Sequence, residues 1–285
     1  MYDVQCSGTM STNGQFIKKV HISYDELAWK EDYINVLVQV EPPSILDISN
    51  HIRENVDKFD LILTWRKDLL DLPNTQKFIF GCCWIEWNTF NSDKQKVCSF
   101  NTSNKGWAPG HKIRQQIWAG LEDAEELNGF SIVKHKSPPR TPNKNFLFET
   151  AKYHIVVENE QRDNWITEKL IDCLASKTIP IYWGASNIDD YFNIDGMIIF
   201  NTIEELKDIL DNLDEKFYDD RVEKALELIA PDNILKMGIQ EDELMLFIYF
   251  CAEDELFNLY VDQESKGPLF EFFQHKVKSW KQRKS

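Results

Sequence analysis

Glu168 and Lys169 stand side by side in the run NWITEKLIDCLASKTIPIYWGAS, residues 164–186. Ile166, Leu170, Ile171 and Leu174 recur there at helical spacing. A helix opening at about Thr167 puts Lys169 in its first turn, where the macrodipole disfavours a cation by about 0.3–1 kcal/mol. A bound anion reverses that sign, because backbone N–H groups, the dipole and the ammonium then act on it together. A pyrophosphate meets the description. Glu168 cannot take a phosphate, but its carboxylate accepts hydrogen bonds from ribose or sugar hydroxyls. The pair also makes sense as an ordinary surface ion pair, and residue types and spacing leave both readings open.

The elements around the pair are those of an α/β protein. Strand HIVVENE (154–160) ends in Glu158 and Asn159, and Asn159 is equally suited to capping the turn before the helix. Helix 165–176 leads into strand IPIYW (179–183) and then MIIF (197–200). Upstream, VCSFNT precedes a helix over 110–127, and FSIVKH precedes a Pro-rich loop and a helix over 144–152. The first third has strands at 33–43, 60–65 and 76–85, with the helical stretch ILDISNHIRENVDKF between the first two. Apolar strands separated by helical crossovers predict parallel sheets covered on both faces. Polar turn residues at 88–96 predict a linker. The expected domains are 1–92 and 93–268, followed by an amphipathic helix over 269–285. Two such units imply Rossmann-like domains facing each other across a cleft, with ligands at the carboxyl ends of strands. Beyond 203 the pattern is almost wholly helical.

Composition restricts the function. The formal charge of −15 disfavours a nucleic-acid partner, yet Glu204–Glu264 carries 19 Asp or Glu against 5 Lys or Arg, so the excess is local. Residues 105–144 instead hold Lys105, His111, Lys112, Arg114, Lys134, His135, Lys136, Arg140 and Lys144, the counter-charge a phosphate needs. Neither G-x-G-x-x-G nor a P-loop occurs, which argues against dehydrogenase and P-loop chemistry. No D-x-D occurs either. The six cysteines lack C-x-x-C spacing and are expected as reduced, buried thiols, not as a zinc site or disulfide framework. Trp84, Trp107 and Trp118 are expected in core or interface.

VVENEQRDNWITEKLIDCLASKTIPIYWGAS resembles the donor-binding motif of the α-1,3-fucosyltransferase family, with VEN, WITEKL and IPIYWG in matching order and spacing. VCSFNTSNKGWAPGHKIRQQIW is similar to the segment that opens that family's C-terminal domain, and VQVEPPSIL to its acidic N-terminal motif. The likeness covers roughly residues 33–200. It implies the GT-B architecture and inverting transfer of fucose from GDP-fucose to a glycan hydroxyl. It also implies roles: Glu41 as general base, Arg114 and Lys169 on the diphosphate, and Glu168 on ribose or fucose. Ser103, Asn104, Glu158, Asn159, Trp165 and Thr167 complete the implied donor site. Trp165 replaces the family's usual Tyr and Val157 its Phe, which removes a phenolic hydroxyl. The same fold with another nucleotide-sugar donor, or a silent glycan- or nucleotide-binding relative, are the alternatives. The expected ligands are a GDP-sugar and a glycan acceptor. No protein-liganded metal is expected, although a divalent ion can assist GDP departure.

The opening MYDVQCSGTMSTNG lacks the features of a secretory leader, so a cytoplasmic protein, or the soluble part of a longer one, is expected. In the tail, Leu269, Phe273, Val277 and Trp280 form one helical stripe beside five basic residues. Such a helix can lie on an anionic membrane or pack back on the protein.

Overall fold

The computed structural model describes residues 4–8, 20–79, 85, 93–122, 125–138 and 144–228. The tail helix 269–285, the acidic stretch beyond 228, Arg140, Trp84, Cys82, Cys83, Cys251 and most of the 88–96 linker lie outside them. The described residues fall into two compact units, one within 1–80 and one within 81–234.

The first unit is a five-stranded parallel sheet in sequential order: β1 (Val4–Gly8), β2 (Val20–Tyr24), β3 (Ile34–Gln39), β4 (Leu61–Thr64) and β5 (Thr75–Lys77). All four residues of β4 are buried, as expected of a strand covered on both faces. Leu37, Ile48, Ile52, Phe59, Ile62 and Leu69 form its core. The helix expected between β3 and β4 is only α1 (Ser49–Glu54) plus a 3-10 turn at Val56–Lys58. Asn55 stops it, because its side-chain amide donates to the His51 carbonyl at 2.8 Å beside its own backbone N–H. Strand β3 likewise ends before Pro42 and Pro43, which have no N–H to give a ladder.

The second unit holds a six-stranded sheet in the order β11-β10-β9-β6-β8-β7. Its strands are β6 (Gln95–Thr102), β7 (Glu125–Leu127), β8 (Phe130–Lys136), β9 (Ala151–Val157), β10 (Ile179–Trp183) and β11 (Ile198–Ile199). Every pair is parallel except β7 with β8. Helices α2 (Pro109–Gly120), α3 (Glu168–Ala175), α4 (Ile203–Asp211) and α5 (Glu215–Leu228) complete it. Two expectations change here. The helix expected over 110–127 ends at Gly120, and its last three positions form β7, which turns through Asn128 and Gly129, both at positive φ (51° and 80°), into β8. An Asn-Gly pair is the two-residue hairpin signal. The helix expected over 144–152 is a 3-10 turn at Asn145–Leu147, and β9 starts at Ala151 because all seven residues from there to Val157 are buried. Glu158 and Asn159 therefore lie just past the strand.

The strand order locates a binding position. From β6 the chain passes through α2 to β8 on one side, and from β9 through α3 to β10 on the other. Adjacent strands whose connections leave in opposite directions form a topological switch point, the place where open α/β sheets bind ligands.

Candidate donor site at the β6–β9 switch point

Glu158 is the centre of this position. Its N–H donates to the Trp183 carbonyl at 2.9 Å, which fixes the backbone as β9 ends. Its carboxylate is wholly buried and accepts from the Thr167 N–H at 3.0 Å and the Thr167 hydroxyl at 2.7 Å. Lys169 Nζ lies 3.5 Å from the same carboxylate. Burial raises the Glu158 pKa, and the nearby lysine opposes that shift without cancelling it. Thr167 is the N-cap of α3, with its Oγ1 accepting from the Lys169 N–H at 3.4 Å and from Lys169 Nζ at 3.0 Å. One hydroxyl thus gives its single proton to Glu158 and takes two donors from Lys169.

Lys169 and Glu168 lie in the first turn of α3. Lys169 Nζ is 3.3 Å from Glu168 Oε1, and Lys144 Nζ approaches that oxygen to 3.5 Å. Burial pushes the Glu168 carboxyl upward, but Lys169 and Lys144 outweigh it and hold the pKa at about 2. Burial likewise works against the Lys169 ammonium, and Glu168 and Glu158 together keep its pKa above the usual value. The lysine side chain is 28% exposed.

The N-terminus of α2 meets the same point. Gly110 donates its N–H to the Asn159 carbonyl at 2.8 Å, and a Cβ on Gly110 would stand 1.7 Å from the Glu158 carbonyl oxygen. Arg114, one turn on, donates to the Val157 carbonyl and to Asn159 Oδ1, the latter at 2.7 Å. It is 8% exposed, and burial lowers its pKa to about 10 against the pull of Glu158 and Glu168, so it stays cationic at neutral pH. Two of its five N–H donors are accounted for by these bonds. His111 is buried with Nδ1 accepting from the Ala108 N–H at 3.2 Å. Burial first, then Arg114, Lys105 and Lys169, lowers its pKa to about 4, leaving a neutral ring with its proton on Nε2.

The remaining expected residues take distinct places. Ser103 follows β6 half-buried, its carbonyl accepting from Gln115 Nε2 at 2.6 Å, and Asn104 beside it is exposed. Trp165 is buried among the core residues. Behind it the loop is held by Asn164 at φ 64°, whose Oδ1 accepts from Asn187 at 2.9 Å and from the Tyr191 hydroxyl at 2.6 Å. Trp107, expected in core or interface, is 58% exposed, edge-on to His111 with 4.8 Å between ring centroids. Glu41 is in the first unit, two residues past β3. His111 and Lys144 were read only as part of the basic stretch 105–144, and Gly110 was not singled out, although the Pro109-Gly110 helix start carries a local signal for it.

The arrangement can bind an anion. Two helix N-termini abut Glu158, and Lys169 and Arg114 add two cations at the carboxyl ends of the strands flanking the switch point. Gly110→Ala tests the packing on which this depends. The added methyl forces a backbone shift costing about 3 kcal/mol, which lowers Tm by roughly 6–12 °C in thermal unfolding. Gly120→Ala, where an added Cβ meets nothing within 4 Å, leaves Tm near the wild-type value.

Residues 90–221 match the C-terminal domain model of glycosyltransferase family 10 (fucosyltransferase). The resemblance to the fucosyltransferases holds. An alpha-(1,3)-fucosyltransferase, FucT, of Helicobacter pylori is 25% identical over 195 residues, covering 67% of this chain and 39% of that one. The mouse 4-galactosyl-N-acetylglucosaminide 3-alpha-L-fucosyltransferase 9 is 24% identical over 229 residues, covering 72% and 60%. The chain thus spans less than two thirds of either relative. Among solved structures, an α,α-trehalose-phosphate synthase (UDP-forming) from Burkholderia xenovorans, in complex with glucose-6-phosphate, aligns with a TM-score of 0.50. That alignment has 12% identity over 81% of this chain and 73% of the other. It shows the fold alone, the GT-B class that the resemblance implied. The fucosyltransferase match takes in every residue from Ser103 to Asn187 described above, and Glu41 lies outside it.

Proposed function

We propose that the protein is an inverting fucosyltransferase that moves fucose from GDP-fucose to a glycan hydroxyl. The observation carrying this reading is the convergence of the α2 and α3 N-termini, Arg114 and Lys169 on the end of β9, within the stretch that matches the fucosyltransferase domain. The acceptor oxygen attacks the anomeric carbon of fucose from the face opposite the diphosphate. The bond from that carbon to the phosphate oxygen breaks with its electron pair passing to GDP. Charge develops on the diphosphate as the bond lengthens, and fixed cations and helix dipoles stabilise it more in the transition state than in the ground state. The acceptor proton passes to Glu41 as general base. Glu168 takes hydroxyl donors of ribose or fucose. Glu158 and Thr167 lie beneath the ligand and set the position of Lys169.

Calorimetric titration with GDP, UDP, CDP and ADP, then with GDP-fucose and GDP-mannose, tests the donor. GDP is expected to bind most tightly, with GDP-fucose at least as tight as GDP-mannose. GDP release is then followed with GDP-fucose and a 4-galactosyl-N-acetylglucosaminide, the acceptor type in the mouse relative's name. Preference for another nucleotide keeps the fold and replaces the donor. Absence of binding to any of them overturns the enzymatic reading.

A further inference from the structure

Asp25 follows β2 in the left-handed region, at φ 53°, and is 6% exposed. Its N–H donates to the Val38 carbonyl at 2.9 Å, one more rung of the β2–β3 ladder. Its carboxylate accepts from the Val40 N–H at 2.7 Å and from the Glu41 N–H, with both oxygens 3.1 Å from that nitrogen. Pro42 and Pro43 come next and carry no N–H, so Val40 and Glu41 hold the last two backbone donors before the chain turns. Both go to one buried carboxylate. The Val40 carbonyl is held as well, by Trp65 Nε1 at 3.2 Å.

We propose that Asp25 is the positioning residue of Glu41, fixing the backbone that carries the base. The inference rests on the reading of Glu41 as base. Charged acceptors bind N–H groups about twice as strongly as neutral ones, and a displacement of about 1 Å at a reacting group costs on the order of 100-fold in rate. Burial pushes the Asp25 pKa up to about 6, the two N–H bonds pull it down, and Glu41 is the charged group that adds to the rise. Asp25 therefore gains a proton as pH falls through about 6, and the two N–H bonds then face a neutral acceptor. Asparagine imitates that protonated form permanently and tolerates the left-handed backbone.

The test uses the full chain with GDP-fucose and a 4-galactosyl-N-acetylglucosaminide acceptor, comparing wild type, Asp25→Asn, Asp25→Gly and Glu41→Gln. Glycine accepts φ 53° without strain, so Asp25→Gly keeps the comparison open should the asparagine variant fold poorly. Both Asp25 variants are expected to lose about 10- to 100-fold in kcat with GDP affinity unchanged. Their amide exchange at Val40 and Glu41 is expected to speed up. The acid limb of the wild-type kcat profile near pH 6 is expected to vanish in Asp25→Asn. Wild-type turnover in both variants while Glu41→Gln is inactive overturns the positioning role alone. A uniform loss of activity with the limb retained also overturns it, since a purely structural part would do that. Full turnover in Glu41→Gln removes the base reading, and this inference with it.

Discussion

Glu41→Gln is expected to lower kcat by about 1,000-fold, within the range of a lost general base, and to leave the GDP dissociation constant unchanged. Glutamine keeps the size and shape of the side chain and removes only its capacity to accept the proton. Glu41 belongs to the unit within residues 1–80, while the cations and helix termini of the donor site belong to the unit within 81–234. Loss of the base therefore separates in measurement from loss of nucleotide binding. GDP release in the presence of donor and acceptor reads the first, and calorimetry with GDP reads the second. A kcat within about threefold of wild type would rule out Glu41 as the base, because general acid–base assistance is worth 100-fold or more.

Lys169→Ala is the second large effect. Removing a charged donor to the diphosphate costs about 2 kcal/mol, or roughly 30-fold in GDP affinity. Turnover falls further if the lysine acts more strongly on the departing diphosphate than on the bound donor. Lys169→Arg, which keeps the charge, is expected to recover most of the affinity. Equal GDP binding by wild type and Lys169→Ala would falsify the phosphate assignment. The alanine variant also changes stability with pH. Glu158 already has a raised pKa from burial, and Lys169 is the cation opposing the rise. Without that cation the carboxyl favours its protonated form more strongly. A carboxyl whose pKa is raised in the folded state stabilises the fold at acid pH, and that contribution is lost as pH climbs from the unfolded value, 4.5, through the folded one. The Tm of Lys169→Ala should accordingly drop more steeply than that of wild type as pH rises above 4.5.

Strands β3, β4 and β10 could be read from the sequence because each is a short apolar run closed by turn or breaker residues. The start of α3 was legible for a related reason: Thr167 is a good cap and the apolar spacing begins beside it. The hairpin β7–β8 was missed although Asn128-Gly129 announces it, because three residues of strand are too few to break an apparent helical period. The false helix at 144–152 has the opposite origin, since its second half is drawn into the sheet by burial that no local pattern displays. In the site, charge type was readable and depth was not. Glu158 and Glu168 look alike in sequence, yet the first is wholly enclosed and the second faces two lysines. Gly110 matters because a carbonyl forty-eight positions along the chain occupies the space of its missing side chain, a relation only the folded molecule contains. Asp25 has no motif at all, and its importance arises from two amides brought to it by the neighbouring strand.

The bonds that seat Arg114, Glu158, Asn159, Thr167 and Lys169 all run among residues of one unit. If this unit receives the nucleotide as proposed, it is organised so as to be portable. On the proposed reading, exchanging the other half in a chimera is expected to change acceptor preference while the same internally braced cradle still receives the donor. Lineages that decorate different glycans can in this way share one donor chemistry, and an engineer seeking a new acceptor has reason to leave residues 95–200 alone.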